Sequence, residues 1–311
     1  MNNILVSICV ITYNSEKTII RTLESAKEQT YQNIELIVSD DGSADNTISI
    51  CNSWLEENKN RFVNTKILTV VENTGVPGNC NRALNNSKGQ WLKLIAGDDL
   101  LLPNCITDCL NYMQQSQASE IAFSNYYKFS EEDNEIKVGN LVFDNSVMNA
   151  FGQMPPDQQL RFYLNKVHNI TPSLFYKRDL IIRIGGFNEK YKLFEDTPLI
   201  VKLLNSGIHF SYIDIPTVMY RVGNESITKV GQDERFYNVP FVKCNMQFKK
   251  DVLYPFYKYD ISFWVKEISF IIQYNFTIVV LRNKKTRINR LIYSLFKALN
   301  PYYLINYLRQ L

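Results

Sequence analysis

The chain has 311 residues, 45% of them hydrophobic and 21% charged, with a formal net charge of +3. That composition supports a sizeable core, in one large domain or one domain with an appendage, and excludes a disordered or collagen-like chain. The charge is uneven: from Lys249 onward there are 11 lysines and arginines against 3 aspartates and glutamates, so a mildly acidic body precedes a basic tail.

The first residues, MNNILVSICVITYN, are apolar after Asn3, lack a basic start and turn polar at Thr12. They read as a first strand rather than a signal peptide or a membrane span. Residues 5–12 are nearly continuously apolar, as in a strand covered on both faces. Asn14 or Ser15 is placed to cap a helix whose Ile19, Leu23 and Ala26 share a face. Residues 34–39 form the next buried strand, which ends in Asp40, Asp41, Gly42 and Ser43. Asp45 is the expected cap of a helix with Ile48, Cys51 and Leu55 on one side, and residues 66–71 supply a third strand.

NTGVPGNCNRALNNSKG then forms a glycine-rich loop and a short helix that carries Arg82 and ends at Gly89. Residues 91–96 are a fourth strand, followed by a sharp turn at Gly97, the adjacent Asp98 and Asp99, and a helix start closed by Pro103. Alternating strands and helices predict an α/β unit with a mainly parallel sheet.

Neighbouring carboxylates repel and lose hydration, so they persist where a cation or a set of donors satisfies them. Hard oxygen ligands with no histidine or thiolate nearby suit Mg2+ or Mn2+ bridged to substrate phosphates. The competing reading has Asp99 capping a helix and Asp98 solvated in a turn. Ligands of such sheets bind beyond the carboxyl ends of the strands, where Thr12, Tyr13, Asn14, Asp40, Asp41, Asp98 and Asp99 gather. Neither G-x-G-x-x-G nor G-x-x-x-x-G-K-[ST] is present, which argues against a dinucleotide enzyme and a P-loop NTPase.

The cysteines Cys9, Cys51, Cys80, Cys105, Cys109 and Cys244 form no C-x-x-C pair, and only His168 and His209 accompany them. They read as reduced core thiols of a cytosolic protein. Zinc is disfavoured despite the helical spacing of Cys105 and Cys109.

Farther on, residues 106–113 predict a helix and 121–129 a strand, while 130–166 are polar, irregular and interrupted at Pro155 and Pro156. His168, a lone histidine, receives no role, and 171–176 are strand-like. Gly185, Gly186 and Phe187 lead to Phe194, Glu195 and Asp196, which open an amphipathic helix bearing Leu199, Ile200, Leu203 and Leu204. Carboxylates there complement the helix macrodipole. Residues 218–222 form a strand that ends around Arg221.

From about Arg235 the tail interleaves aromatic and basic residues. Its most apolar part, 268–281, contains Gln273 and Asn275 and is shorter than the ~20 residues of a spanning helix. Such a tail suits the face of an anionic membrane, and equally a helical bundle packed on the catalytic domain or on a second subunit. A nucleic-acid partner is disfavoured, since no basic stripe accompanies the acidic body.

Three stretches taken together, VSICVITYNSEKTIIRTLESAKEQTYQNIELIVSDDGSADNT, ENTGVPGNCNRALNNSKGQWLKLIAGDDLLLP and GGFNEKYKLFEDTPLIVKLLNSG, resemble family 2 glycosyltransferases of the GT-A fold over roughly residues 4–228. The resemblance implies a Rossmann-like α/β/α sandwich over 1–234, with a nucleotide-sugar half (1–103) and an acceptor half (104–234), followed by a helical extension (235–311). It implies that Thr12, Tyr13 and Asn14 hold the nucleotide, Tyr13 by stacking, that Asp41 accepts a hydrogen bond from uracil, and that Arg82 lines that pocket. Asp98 and Asp99 would hold Mg2+ or Mn2+ and the ribose, in an order left open, and Arg221 would meet the pyrophosphate. Asp196 would be the base of an inverting transfer, with Glu195 positioning it or an acceptor hydroxyl. The expected donor is a UDP-sugar. The expected acceptor is a lipid-linked glycan at the inner membrane face, as in O-antigen or capsule assembly. Two departures stand out: Ala96 replaces the first carboxylate of the family's D-x-D, and Gly223 replaces a frequent histidine. They motivate the alternative of a non-catalytic nucleotide-sugar-binding scaffold. A nucleotidyltransferase is disfavoured because TYNSEKT is no glycine- and arginine-rich phosphate loop.

Overall fold

The computed structural model describes residues 4–116, 119–132, 135–166, 169–223 and 234–299. Contacts divide the chain into two units, Met1–Gly223 and Asn224–Leu311. The first unit begins β1 (Val6–Thr12), α1 (Ile19–Lys27), β2 (Ile34–Asp40), α2 (Thr47–Asn58), β3 (Asn64–Leu68), α3 (Val76–Asn86) and β4 (Trp91–Ala96). It continues β5 (Leu100–Leu101), α4 (Cys105–Gln115), β6 (Ile121–Glu132), β7 (Glu135–Leu141), α5 (Asn145–Gln153) and α6 (Pro156–Lys166). It closes with β8 (Phe175–Lys177), α7 (Arg178–Arg183), α8 (Asp196–Asn205) and β9 (Ser211–Arg221).

These strands form one sheet in the order β3-β2-β1-β4-β8-β6-β9-β5, with β7 paired to β6. The β1–β2, β1–β4 and β2–β3 pairs are parallel, as is β6–β9, while β8 runs antiparallel to both β4 and β6. All seven residues of β2 are buried, the signature of a strand covered by helices on both faces. Register then sets the site: Thr12 lies beside Asp40, and Ile11 beside Ala96. Residues 13–14, 41 and 97–99 therefore leave the sheet at a common edge.

Several local expectations are corrected. Residues 130–166 are not irregular but hold the end of β6, then β7, α5 and α6. Every residue of β7 is exposed, so no apolar alternation announces it. Leu100 and Leu101 do not start a helix; they pair with Met219 and Val218 of β9, and the helix waits until Cys105. The third strand runs from Asn64 to Leu68 rather than over 66–71. Residues 171–176 split into a 3-10 turn (Thr171–Ser173) and β8. Neither Asn14 nor Ser15 caps α1 with a side chain; instead the Ser15 carbonyl accepts the N–H groups of Thr18 and Ile19 at 3.0 and 2.9 Å. The five cysteines of the first unit are buried free thiols. His168 and residues 224–228 after Arg221 lie outside the described residues.

The second unit holds α9 (Val239–Phe248), a π-helical stretch (Lys249–Leu253), α10 (Tyr254–Phe256), α11 (Ile261–Val279) and α12 (Arg287–Ala298). Asp260 and Thr286 cap α11 and α12 by accepting the N–H groups of Phe263 (2.9 Å) and Asn289 (3.1 Å). Among the described residues no helix is long and apolar enough to cross a membrane.

Gly97 is the tightest point of the edge. A Cβ there would lie 2.8 Å from Thr12 Oγ1 and 3.2 Å from Ile19 Cδ1. Gly97→Ala is expected to lower stability by about 1–3 kcal/mol through overpacking. The check is a urea midpoint that falls with an unchanged slope.

Candidate active site

The turn after β1 is built to display one ring. Asn14 adopts a left-handed φ of 51°, which asparagine tolerates better than most residues. Its N–H donates to Ser43 Oγ at 2.7 Å and its Oδ1 accepts from Ala44 N at 2.9 Å, tying this turn to the one after β2. Between these anchors Tyr13 stands 50% exposed. Thr12 is buried against Gly97, and its Oγ1 has no hydrogen-bond partner among the described residues.

Asp40 and Asp41 diverge. The Asp40 carboxylate closes its own turn, accepting from Gly42 N (3.0 Å), Ser43 N (2.9 Å), Thr69 Oγ1 (3.1 Å) and the Ser43 hydroxyl. Asp41 Oδ1 accepts from Thr74 N (3.0 Å), Thr74 Oγ1 (2.6 Å) and Arg82 Nη2 (3.0 Å), while Oδ2 accepts from Gly75 N (2.8 Å) and retains capacity for one more donor. Arg82 is drawn inward. Its Nη1 also donates to the Asp40 carbonyl (3.0 Å) and Asn79 Oδ1 (2.9 Å), so it holds the pocket's frame.

α3 carries this frame across the cleft. Gly75, at φ 86°, admits no Cβ because one would lie 2.5 Å from the Lys192 carbonyl, which accepts Val76 N at 2.9 Å. Asn81 exchanges bonds with the backbone of Phe187 (2.9 and 2.8 Å) and donates to Glu189 Oε1 at 2.7 Å. The segment leading to Glu195 and Asp196 is thereby fastened to the helix that Asp41 holds.

At the end of β4, Asp98 is half-buried and Asp99 is 3% exposed. Asp99 Oδ1 accepts Arg221 N at 2.8 Å, and Arg221 Nε donates to the Asp98 carbonyl at 3.1 Å. Burial, then the charge of Asp98, pushes the Asp99 pKa well above the ordinary carboxylate range, and the Arg221 N–H pulls it partly back. Arg221 is no freely solvated ion pair: its Nη1 meets Glu131 Oε2 at 2.8 Å, its guanidinium lies 4.9 Å from the Phe129 ring centroid, and its Nη2 is buried without a partner among the described residues. No three candidate metal ligands cluster among the described residues. The acidic pair supplies hard oxygens only, which fits a cation completed by phosphate and water.

Glu195 and Asp196 sit at the start of α8, both half-buried. Asp196 Oδ1 accepts Thr197 N at 2.6 Å, and Thr171 Oγ1 makes a long 3.4 Å contact to Oδ2. Burial raises both carboxyls; in Glu195, burial followed by the charge of Asp196 lifts the pKa from 4.5 to about 8. With its pKa at about 8, Glu195 carries a proton near neutrality. At the half-buried Tyr220, burial, then the charges of Asp99 and Asp98, and more weakly that of Asp196, raise the phenol pKa.

Lys93, absent from the expected set, is signalled only by a lysine inside the apolar run WLKLIA. Fully buried, its Nζ donates to the carbonyls of Pro172 (2.6 Å) and Leu174 (3.2 Å), bracing the turn that offers Thr171 to Asp196. Burial lowers its pKa.

Between pH 4.5 and about 8 the folded chain keeps on Glu195 a proton that the unfolded chain has released, so this group's effect on stability worsens as pH rises through that window. Glu195→Gln cannot ionise. Its unfolding temperature relative to wild type is expected to climb across that window, and parallel curves would contradict the burial of Glu195.

The family model for Glycosyl transferase family 2 matches residues 7–185. The glycosyltransferase GlyG of Streptococcus pneumoniae is 32% identical over 139 residues, 45% of this chain and 43% of that protein. WfaP of Escherichia coli, a UDP-Glc:alpha-D-GlcNAc-diphosphoundecaprenol beta-1,3-glucosyltransferase, is 34% identical over 228 residues, 72% of this chain and 80% of that protein. The chain thus spans less than half of the first relative and about four fifths of the second. Among solved structures, S. aureus TarS in complex with UDP-GlcNAc is similar in fold, with a TM-score of 0.54 and 21% identity over 70% of this chain and 58% of that one. On the family match and the similarity to WfaP, the chain belongs to glycosyl transferase family 2.

Proposed function

We propose that the protein is an inverting glycosyltransferase that moves a sugar from a UDP-sugar to a hydroxyl of a lipid-linked glycan, in assembly of a bacterial surface polysaccharide such as O-antigen or capsule. The observation that carries this reading is the pair Asp98 and Asp99 at the end of β4, with Asp99 Oδ1 accepting Arg221 N at 2.8 Å, together with Glu195 and Asp196 at the start of α8, whose preceding segment Asn81 fastens to the helix that Asp41 holds. WfaP, by its name, uses a UDP-sugar and a diphosphoundecaprenol-linked acceptor, which supports the donor and acceptor classes.

In this reading Tyr13 is the stacking platform for the base, Thr12 and Asn14 shape the floor beside it, and the remaining capacity of Asp41 Oδ2 takes a uracil N–H. Arg82 acts through Asp41. Asp98 would be a ligand of Mg2+ or Mn2+, with Asp99 behind it holding the Arg221 strand, and Arg221 would supply positive charge on the diphosphate side. The bound cation would neutralise charge developing on the departing nucleoside diphosphate. The acceptor O–H gives its proton to Asp196 as the oxygen bonds to the anomeric carbon, and the bond from that carbon to phosphate oxygen breaks with its electrons on the leaving group. Glu195, protonated near neutrality, donates a hydrogen bond that orients the acceptor.

The test is transfer and hydrolysis with UDP-, GDP- and dTDP-sugars, with and without Mn2+. Asp196→Asn is expected to lower kcat by about 10²- to 10⁴-fold with donor affinity retained. Asp98→Asn is expected to weaken donor binding and abolish stimulation by the cation. Donor binding without turnover, with lipid-linked acceptors supplied, would establish a scaffold instead.

A further inference from the structure

The long helix of the second unit is turned inside out. α11 buries Glu267, Ser269, Gln273, Tyr274 and Thr277, and exposes Ile261 (80%), Ile268 (52%), Ile272 (53%) and Val279 (74%). Those four fall at intervals of seven, four and seven residues, one stripe about 27 Å long at 1.5 Å per residue. The buried polar side is provided for internally: Lys249 Nζ meets both Glu267 oxygens at 2.7 and 2.9 Å, and Thr277 Oγ1 donates to the Gln273 carbonyl at 2.7 Å. An ordinary surface helix has the opposite arrangement.

α12 repeats the feature. None of its residues is buried; its contacts include Tyr293 stacked on Phe236 (4.5 Å), Phe296 on Phe276 (4.1 Å) and Asn289 Nδ2 donating to the Leu281 and Lys284 carbonyls at 3.0 and 2.8 Å. Ile288, Leu291, Ile292, Leu295 and the following Leu299 lie on one side and are 36–73% exposed. Two apolar helix faces on one small unit exceed the scattered exposure normal for a monomer.

Charge identifies the occupant. From Ile268 to Leu299 there are six lysines and arginines and no carboxylate. A second copy would bring the same surplus and be repelled, whereas anionic lipid attracts it. Exposed Tyr259 and Phe256, with Trp264 at the start of α11, are residues suited to the headgroup level. We propose that α11 and α12 lay their apolar stripes on the headgroup–acyl boundary of an anionic membrane, with the basic residues of 282–297 meeting the headgroups. The binding is independent of transfer, so it can fail or hold without deciding the proposed reaction.

The experiment is co-sedimentation of the full chain with vesicles of phosphatidylglycerol and phosphatidylcholine, against phosphatidylcholine alone. Binding to the anionic vesicles only, weakened by salt, is expected. Arg287→Gln with Arg290→Gln should lower the partition coefficient roughly fivefold per charge. Ile272→Asp with Leu291→Asp, both at exposed positions, should abolish binding while circular dichroism and the unfolding temperature stay at wild-type values. Equal binding to both vesicle types, or none, would overturn the proposal. A dimer in sedimentation velocity that Ile272→Asp with Leu291→Asp dissolves would assign the stripes to a second copy instead.

Discussion

The first unit depends on the carboxylate of Asp41. It collects three donors from Thr74 and Gly75 and a fourth from Arg82, so a single buried charge binds the end of β2 to the start of α3. α3 then holds the segment that precedes Glu195 and Asp196, through Val76 N on the Lys192 carbonyl and Asn81 on Phe187. One anchored helix thus joins the end of β2 to the segment before α8, more than a hundred residues apart in the chain. Charge-assisted bonds are about twice as strong as neutral ones, and a buried carboxylate without them would be strongly unfavourable.

The same logic explains the other buried charges. Burying an ion pair seldom adds stability over a well-packed apolar core, so retained buried charges generally mark geometry that must be held. Glu131 receives both Arg21 (2.7 Å) and Arg221 (2.8 Å), and Arg221 in turn holds both acidic residues of the β4 edge through Asp99 Oδ1 and the Asp98 carbonyl. Lys93 braces the Thr171–Ser173 turn on the other side of the same strand. The β4 edge and the Thr171–Ser173 turn are thus each fixed by a cation that faces inward, Arg221 for the first and Lys93 for the second.

The parallel half of the sheet was legible because its evidence is local. β1, β2 and β4 are mostly apolar runs, broken by single polar residues such as Glu35 and Lys93, and each is followed by a turn at the common edge of the sheet. The stretch from Ser130 to Lys166 was not, because β7 is fully exposed and α5 and α6 gain their order from distant partners such as Gln159 bonding the Phe210 backbone. Site residues divide in the same way. Which types gather at the edge follows from strand ends, but whether a carboxylate faces a ligand or its own fold depends on where the donors lie. Asp41 and Arg82 look alike in sequence whether they meet uracil or each other. Lys93 had only its incongruity within a strand to announce it.

The second unit extends this reasoning from polarity within the fold to polarity of its surroundings. A helix sorts its faces by what covers them, and α11, with glutamate, glutamine, tyrosine and threonine inside and isoleucines outside, has the arrangement that the proposed membrane contact requires. A single apolar stripe gives marginal, reversible attachment, whereas a stripe joined to a cluster of cations combines two weak signals into useful retention. If the acceptor is lipid-linked, as proposed, retention at the surface would replace a search through solution by an encounter at high effective concentration, without any new contact in the active site. Membrane affinity and acceptor specificity can then reside in different parts of one chain, the first in the apolar stripes and cations of the second unit, the second in the cleft of the first.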